Sequence, residues 1–204
     1  MNFFTHDDLI VPGARALVPT PSSPSGTATT SPASVWPDFL VGQPEQPVRV
    51  ILVDDDPHIR HVIAQELLSD TRIQLVAQAG SLKEGRRRCL QHEFDVMLVD
   101  LNLGDGSGFE LIEQVKSLRP MTEVVVISAI EDERHALHAF EMGATGYLIK
   151  NSWFGSFSQA VLQVVNGGAS ITPNLARRLL HRLDGKTSDS LSKPSKERLS
   201  DRER

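Results

Sequence analysis

Asp54, Asp55, Asp100, Ser128 and Lys150 each stand at the end of a short apolar run, although up to 96 positions separate them in the chain. Three carboxylates, a hydroxyl and an ammonium suit phosphoryl transfer to an acid. A carboxylate nucleophile can form an acyl phosphate, and the other groups then act by positioning and charge stabilisation. Asp100 is the expected phosphoacceptor, because the continuous run Val96–Val99 leads straight into it and the turn LNLGDGSG follows. Three acids and one ammonium sum to about −2, a cluster that would raise its own carboxyl pKa values unless a cation joined it. Ligands that are all oxygen favour a hard ion, most simply Mg2+. Asp55 is the expected direct metal ligand, Asp54 acts more remotely, and the backbone carbonyl of Asn102 is placed to complete the coordination. Lys150 is expected to pair with one phosphoryl oxygen and Ser128 to hydrogen-bond another.

Taken singly, each residue has an ordinary explanation. Asp56 before Pro57 is a helix N-cap. Asp54 and Asp55 fit a solvated turn, Lys150 the surface, Ser128 a strand end, and Gly104, Gly106 and Gly108 a turn. The signal is the joint pattern, which needs a fold that gathers strand ends.

The elements supply one. Val48–Val53, residues 74–79, Val96–Val99, Glu123–Ser128 and Gly146–Ile149 are apolar runs of strand length. Between them lie helical patterns. One opens at Asp56–Pro57 and carries Ile59, Val62, Ile63 and Leu67. Ser81 with Glu84 and Ser107 with Glu110 form capping boxes for the next two. A fourth, about 131–142, stops at Gly143, and a fifth carries Phe157, Val161, Val164 and Val165. Five βα units in series predict a parallel sheet covered on both faces, a three-layer α/β sandwich. Ligands of such sheets bind at the carboxyl ends of the strands. The strand order does not follow from pattern alone. A further helix opens at Thr172–Pro173 with Leu175, Leu179, Leu180 and Leu183.

The chain has 204 residues, 40% of them hydrophobic, enough for one domain with tails. Charge is uneven. Residues 48–176 hold 17 acidic against 11 basic residues, and residues 177–204 hold 9 basic against 5 acidic. An acidic core with a basic tail predicts different partners for the two regions. The single cysteine, Cys89, excludes an intrachain disulfide and is expected to be a small residue on a helix face rather than a thiol activated by Arg86–Arg88. No run approaches the roughly 20 apolar residues of a membrane helix, and the N-terminus does not resemble a signal peptide. The expectation is a cytoplasmic chain with no membrane partner. Residues 1–47 contain eight of the twelve prolines and are expected to be a disordered extension, with order beginning at Val48; Phe3, Phe4 and Leu9–Val11 as a docking patch, and Trp36 and Phe39 as packing residues, are weaker expectations.

The blocks VDDDP, MLVDLNLGDGSGFELI, VVISA and GYLIK resemble the receiver domain of bacterial two-component response regulators over about residues 48–168. The resemblance implies a flavodoxin-like sheet of order 2-1-3-4-5, the order the general rule gives for a chemotaxis receiver. It implies Asp100 as phosphoacceptor of a sensor histidine kinase, Asp54 with Asp55 as the acidic pair, Ser128 as switch hydroxyl, Tyr147 as switch aromatic and Lys150 as the family lysine. The chain would then be a signalling phosphoacceptor that promotes its own phosphorylation and dephosphorylation, not an enzyme with a separate substrate. Gly104 stands where many members have Pro, which would loosen that loop, and Asn151 follows the lysine where many have Pro. GGASITPNLARRLL is similar to the linker helix of NarL/FixJ-type regulators, and LSDRER to the opening of their LuxR-type helix-turn-helix domain, so residues 169–204 are expected to be a linker and the start of a truncated DNA-binding domain. This implies transcription regulation through that domain, DNA contact only through it, and a homodimer on phosphorylation.

Two other classes are weaker. A stand-alone receiver would act by phosphotransfer or docking. A phosphohydrolase with an aspartyl nucleophile would need an acid two residues later, where Asn102 stands, and a dinucleotide-binding domain would need glycines where Asp-Asp-Asp-Pro follows the first strand.

Overall fold

The apolar runs become the strands of one parallel sheet. In chain order the elements are β1 Val48–Val53, α1 Pro57–Ser69, β2 Ile73–Ala79, α2 Leu82–Gln91, β3 Val96–Val99, β4 Asn102–Leu103, β5 Gly106–Ser107, α3 Gly108–Leu118, β6 Glu123–Ser128, α4 Glu133–Glu141, β7 Gly146–Ile149, α5 Phe157–Val165, β8 Ser170–Ile171 and α6 Pro173–Ser190. This computed structural model describes residue 37, residues 39–151 and residues 155–190, with side chains in α6 up to 182. The expectations for residues 1–36, for the Leu183 side chain and for residues 191–204 lie outside the described residues.

The sheet order is β2-β1-β3-β6-β7-β8. The five long strands give the expected 2-1-3-4-5 arrangement, and β8 adds a sixth, two-residue strand that composition alone did not reveal. β3 and β7 are buried at every position, as expected of strands covered on both faces. Two apolar layers result. One holds Ile51, Val53, Met97, Val99, Leu111, Val126 and Tyr147; the other holds Val50, Leu52, Ile63, Leu67, Leu98, Ile127 and Val161.

Register brings the polar tips together. Val53 pairs with Val99, so Asp54 and Asp100 leave neighbouring strands at the same height. The Asp100 N–H donates to the Val53 carbonyl at 2.8 Å. Ser128 pairs with Ile149, and the Lys150 N–H donates to the Ser128 carbonyl at 2.9 Å.

Several local expectations change. Contacts begin upstream of Val48: the Val41 N–H donates to Asn166 Oδ1 at 2.8 Å, and Asn166 Nδ2 donates back to the Val41 carbonyl at 3.2 Å. Phe39, expected to pack on the domain, is 85% exposed. At α2 the Ser81 hydroxyl accepts from the Glu84 N–H, but Glu84 reaches past Ser81 to the Gly80 N–H, so that capping box is shifted by one residue. The box of Ser107 and Glu110 is complete. Cys89 is buried, and burial pushes its thiol up to about 11, so the neighbouring arginines do not activate it.

At the opposite rim, Arg49 and Asp95 form a two-pronged pair at 2.7 and 3.1 Å, and the Arg49 N–H donates to the same carboxylate. Burial alone would raise the Asp95 carboxyl; the bonds from Arg49 outweigh it and hold the carboxyl below its usual value. A depressed folded-state value means stability that is present above the unfolded pKa of about 3.9 and lost as pH falls through the folded one. Both side chains are 38–39% exposed, so solvent screening limits the pair to roughly 0.5–1 kcal/mol. Arg49→Met should therefore lower the urea midpoint at pH 7, and its deficit against the parent chain should vanish on acidification below the carboxylate range.

Candidate functional site

The described site lies at the carboxyl rim of β1, β3, β6 and β7. Asp54 is fully buried and Asp100 is 5% exposed, while Asp55 is exposed. Lys150 bridges the buried acids. Its ammonium donates to Asp100 Oδ2 at 2.7 Å and lies 2.8 Å from Asp54 Oδ2. The second contact is an ion pair, so the two buried carboxylates share one ammonium.

The electrostatics follow from this placement. Burial raises the Asp54 carboxyl; Lys150 pulls it down, the nearby Asp100 charge pushes it up, and the balance remains above the usual carboxylate value. Burial alone would lower the Lys150 amine, but the hydrogen bond it donates to Asp100 and the pairing with Asp54 outweigh it, so the ammonium is held more firmly than in water. One carboxylate oxygen each from Asp54, Asp55 and Asp100 lies within 4.8 Å of the others. An all-oxygen set of this compactness fits a hard divalent cation. Asn102 is exposed, and its backbone N–H donates to Asp100 Oδ1 at 3.3 Å.

Ser128 is fully buried, and its hydroxyl accepts from the Ile130 N–H at 3.1 Å. Tyr147 is fully buried, and its hydroxyl donates to the Ile130 carbonyl at 3.1 Å. Burial raises its phenol, with the Ser128 hydroxyl acting in the opposite direction.

The loop after Asp100 pairs with itself and is bonded to α2. Residues 102–107 form a small hairpin, with Asn102 opposite Ser107 and Leu103 opposite Gly106. Asp105 accepts from the Leu82 and Lys83 N–H groups at 2.6 and 3.0 Å and so ties the loop to the start of α2. Gly104, Gly106 and Gly108 are not among the glycines at positive φ. Gly108 is required by close approach, since a Cβ there would overlap the Asp100 carbonyl.

Asp105 and Arg60 are the site-building residues that the sequence did not single out. Arg60 Nη1 donates to the Asp54 carbonyl, bracing the β1–α1 turn from within α1. Its signal was faint: Arg60 lies one helical turn past the N-cap Asp56, which points it back at that rim.

Residues 50–162 match the family described as response regulator receiver domain. The DNA-binding transcriptional activator DevR/DosR of Mycobacterium tuberculosis is 30% identical over 138 residues, 68% of this chain and 64% of that protein. The oxygen regulatory protein NreC of Staphylococcus carnosus is 26% identical over 135 residues, 66% of this chain and 62% of that one. The crystal structure of a two-component response regulator of the LuxR family from Aurantimonas sp. SI85-9A1 superposes with TM-score 0.63 at 25% identity, over 67% of this chain and 98% of that chain. The chain spans about three fifths of the length of the first curated relatives it matches. No helix among the described residues is long and apolar enough to cross a membrane.

Proposed function

We propose a function from one premise: the chain belongs to the response regulator receiver domain family. Asp100 accepts a phosphoryl group from the phosphohistidine of a sensor histidine kinase. The phosphorus–nitrogen bond breaks as a bond from an Asp100 carboxylate oxygen to phosphorus forms, and the freed imidazole takes up a proton. The observation that carries this is the Lys150 ammonium held at 2.7 and 2.8 Å between Asp100 and Asp54. A fixed cation there can pair with an oxygen of the arriving phosphoryl group without reorganising.

Asp54, Asp55, Asp100 and the Asn102 carbonyl would hold Mg2+, which supplies positive charge against the carboxylates and a phosphoryl oxygen. The Ser128 hydroxyl hydrogen-bonds another phosphoryl oxygen, and Tyr147 follows its movement. The acyl phosphate is the signal, formed once per chain and hydrolysed in place, so the chain is a phosphoacceptor rather than an enzyme with its own substrate. Residues 48–168 form the receiver and residues 169–204 a linker with the start of a LuxR-type DNA-binding domain. The names of the relatives support an output in transcription. In our proposal that output is exerted in the cytoplasm through a LuxR-type domain, with a homodimer on phosphorylation.

The test is intact-mass spectrometry after incubation with acetyl phosphate and Mg2+. One added phosphoryl group that is lost to hydroxylamine and maps to Asp100 is expected. No addition, or addition at another residue, rejects the assignment. Light scattering on the same samples should register a larger species only where the phosphoryl group is present.

A further inference from the structure

The segment between β6 and α4 is held at three backbone groups of two consecutive residues by three different elements. The Ser128 hydroxyl accepts from the Ile130 N–H at 3.1 Å. The Tyr147 hydroxyl of β7 donates to the Ile130 carbonyl at 3.1 Å. Arg178 Nη2 of α6 donates to the Glu131 carbonyl at 2.9 Å. The same guanidinium lies 3.5 Å from the Glu131 carboxylate and 3.7 Å from that of Glu133, and Arg182 lies 3.9 Å from Glu133.

The rest of α6 is anchored differently. Thr172 accepts from the Ile149 N–H at 2.9 Å through its hydroxyl and donates its N–H to the Tyr147 carbonyl at 3.1 Å. Leu175 is fully buried in the layer that contains Ala136, Ala139 and Tyr147, with Leu179 packed against it. The first turn is therefore fixed by burial and Leu179 adds an apolar contact beyond it, whereas the polar contacts of the later turns come from side chains 31–42% exposed. Pairs at that exposure are individually weak and reversible, and the bond to the Glu131 carbonyl is the charge-assisted one among them.

We infer that Arg178 is a positioning residue that latches the linker helix α6 to the segment following Ser128. The latch is closed while the Ser128 hydroxyl holds the Ile130 N–H, and it loosens when that hydroxyl turns to a phosphoryl group on Asp100. The segment is a two-state element that both ends can bias. Turning the hydroxyl frees the Ile130 N–H, the adjoining Glu131 carbonyl shifts, and Arg178 loses its one charge-assisted acceptor. Coupling of this kind is reciprocal, so loosening α6 must also strengthen binding of a phosphoryl analogue at Asp100 by the same factor. The trigger rests on the phosphoacceptor assignment; the latch does not.

Hydrogen–deuterium exchange of residues 173–182 in the full chain reads the latch directly. Arg178→Gln should raise exchange there about two- to fivefold, the range expected for losing contacts of this exposure, and Arg178→Lys should restore part of it. Ser128→Ala does not touch α6, yet should raise the same exchange by a similar factor, with Ser128→Thr as rescue. Beryllium fluoride with Mg2+, as phosphoryl mimic, should do the same to the parent chain and add little to Arg178→Gln. Exchange in β1 and β3 should stay constant throughout, which separates unlatching from misfolding. If Arg178→Gln leaves α6 unchanged, there is no latch. If Arg178→Gln loosens α6 but Ser128→Ala does not, Arg178 is a brace uncoupled from the site. If both variants loosen α6 but the mimic never binds the parent chain, the latch stands and the phosphoacceptor assignment fails.

Discussion

Asp100→Asn is expected to abolish phosphoryl uptake from acetyl phosphate, a loss of at least about a hundredfold, or about 3 kcal/mol on the barrier. The change is nearly isosteric and removes the one property the reaction needs, an anionic oxygen nucleophile. The fold should tolerate it. The amide oxygen can still accept from Lys150, which now meets Asp100 Oδ2 at 2.7 Å, and Asp54 remains as the ammonium's ionic partner. Removing one of three clustered acids also relieves repulsion. The expected signature is therefore an unchanged or slightly raised melting temperature with no mass addition. Chelating Mg2+ from the parent chain should give the same loss of uptake by a different route. Asp95→Asn, at the opposite rim, should leave uptake intact. Phosphorylation of Asp100→Asn at the parent rate would place the acceptor elsewhere.

The parts of the molecule that could be anticipated are those governed by a local period. Val96–Val99 is buried at every position because a four-residue apolar run bounded by turn residues has few alternatives to an interior parallel strand. Once the strands are parallel, Asp54, Asp100, Ser128 and Lys150 must share a rim, and pairings such as Val53 with Val99 only set their heights. What was not legible depends on partners distant in sequence and without periodic marking. Asp105 is a turn acid by its neighbours, yet it caps α2 across 23 positions. Asn166 ends α5 and also holds Val41 across 125 positions, which is why an extension dominated by Pro, Ser and Thr acquires contacts before Val48. Two-residue β8 carries too little pattern to register, and it exists because the chain leaving α5 passes beside β7. The burial of Tyr147 has the same origin: GYLI gives its strand, but the bond to the Ile130 carbonyl comes from a loop 17 positions earlier.

Lys150→Met should destabilise the chain strongly in the absence of divalent cations and much less in their presence. Asp54 and Asp100 are both buried and share this one ammonium. Removing a single member of a buried ion pair leaves uncompensated charge, a cost of about 3–5 kcal/mol. The Asp54 carboxyl already lies above its usual value through burial, with Lys150 opposing the rise, so the variant loses the cation that both buried acids contact. A cation that binds the folded pocket and not the unfolded chain stabilises by mass action, and the more negative pocket of the variant should bind it more tightly. Thermal melts with EDTA and with MgCl2 should therefore show a larger Mg2+-dependent gain for Lys150→Met than for the parent. Adding Asp100→Asn should return part of the lost stability, since the second substitution removes the carboxylate stranded by the first; the two changes share one contact and should not be additive. In phosphoryl uptake the variant should be slower by one to two orders of magnitude, about 1.4–2.8 kcal/mol, because the fixed charge meant for a phosphoryl oxygen is gone while the nucleophile remains. Equal stability of variant and parent in EDTA would mean that the ammonium does not hold these two acids together, and the charge argument for Asp100 as acceptor would lose its physical basis.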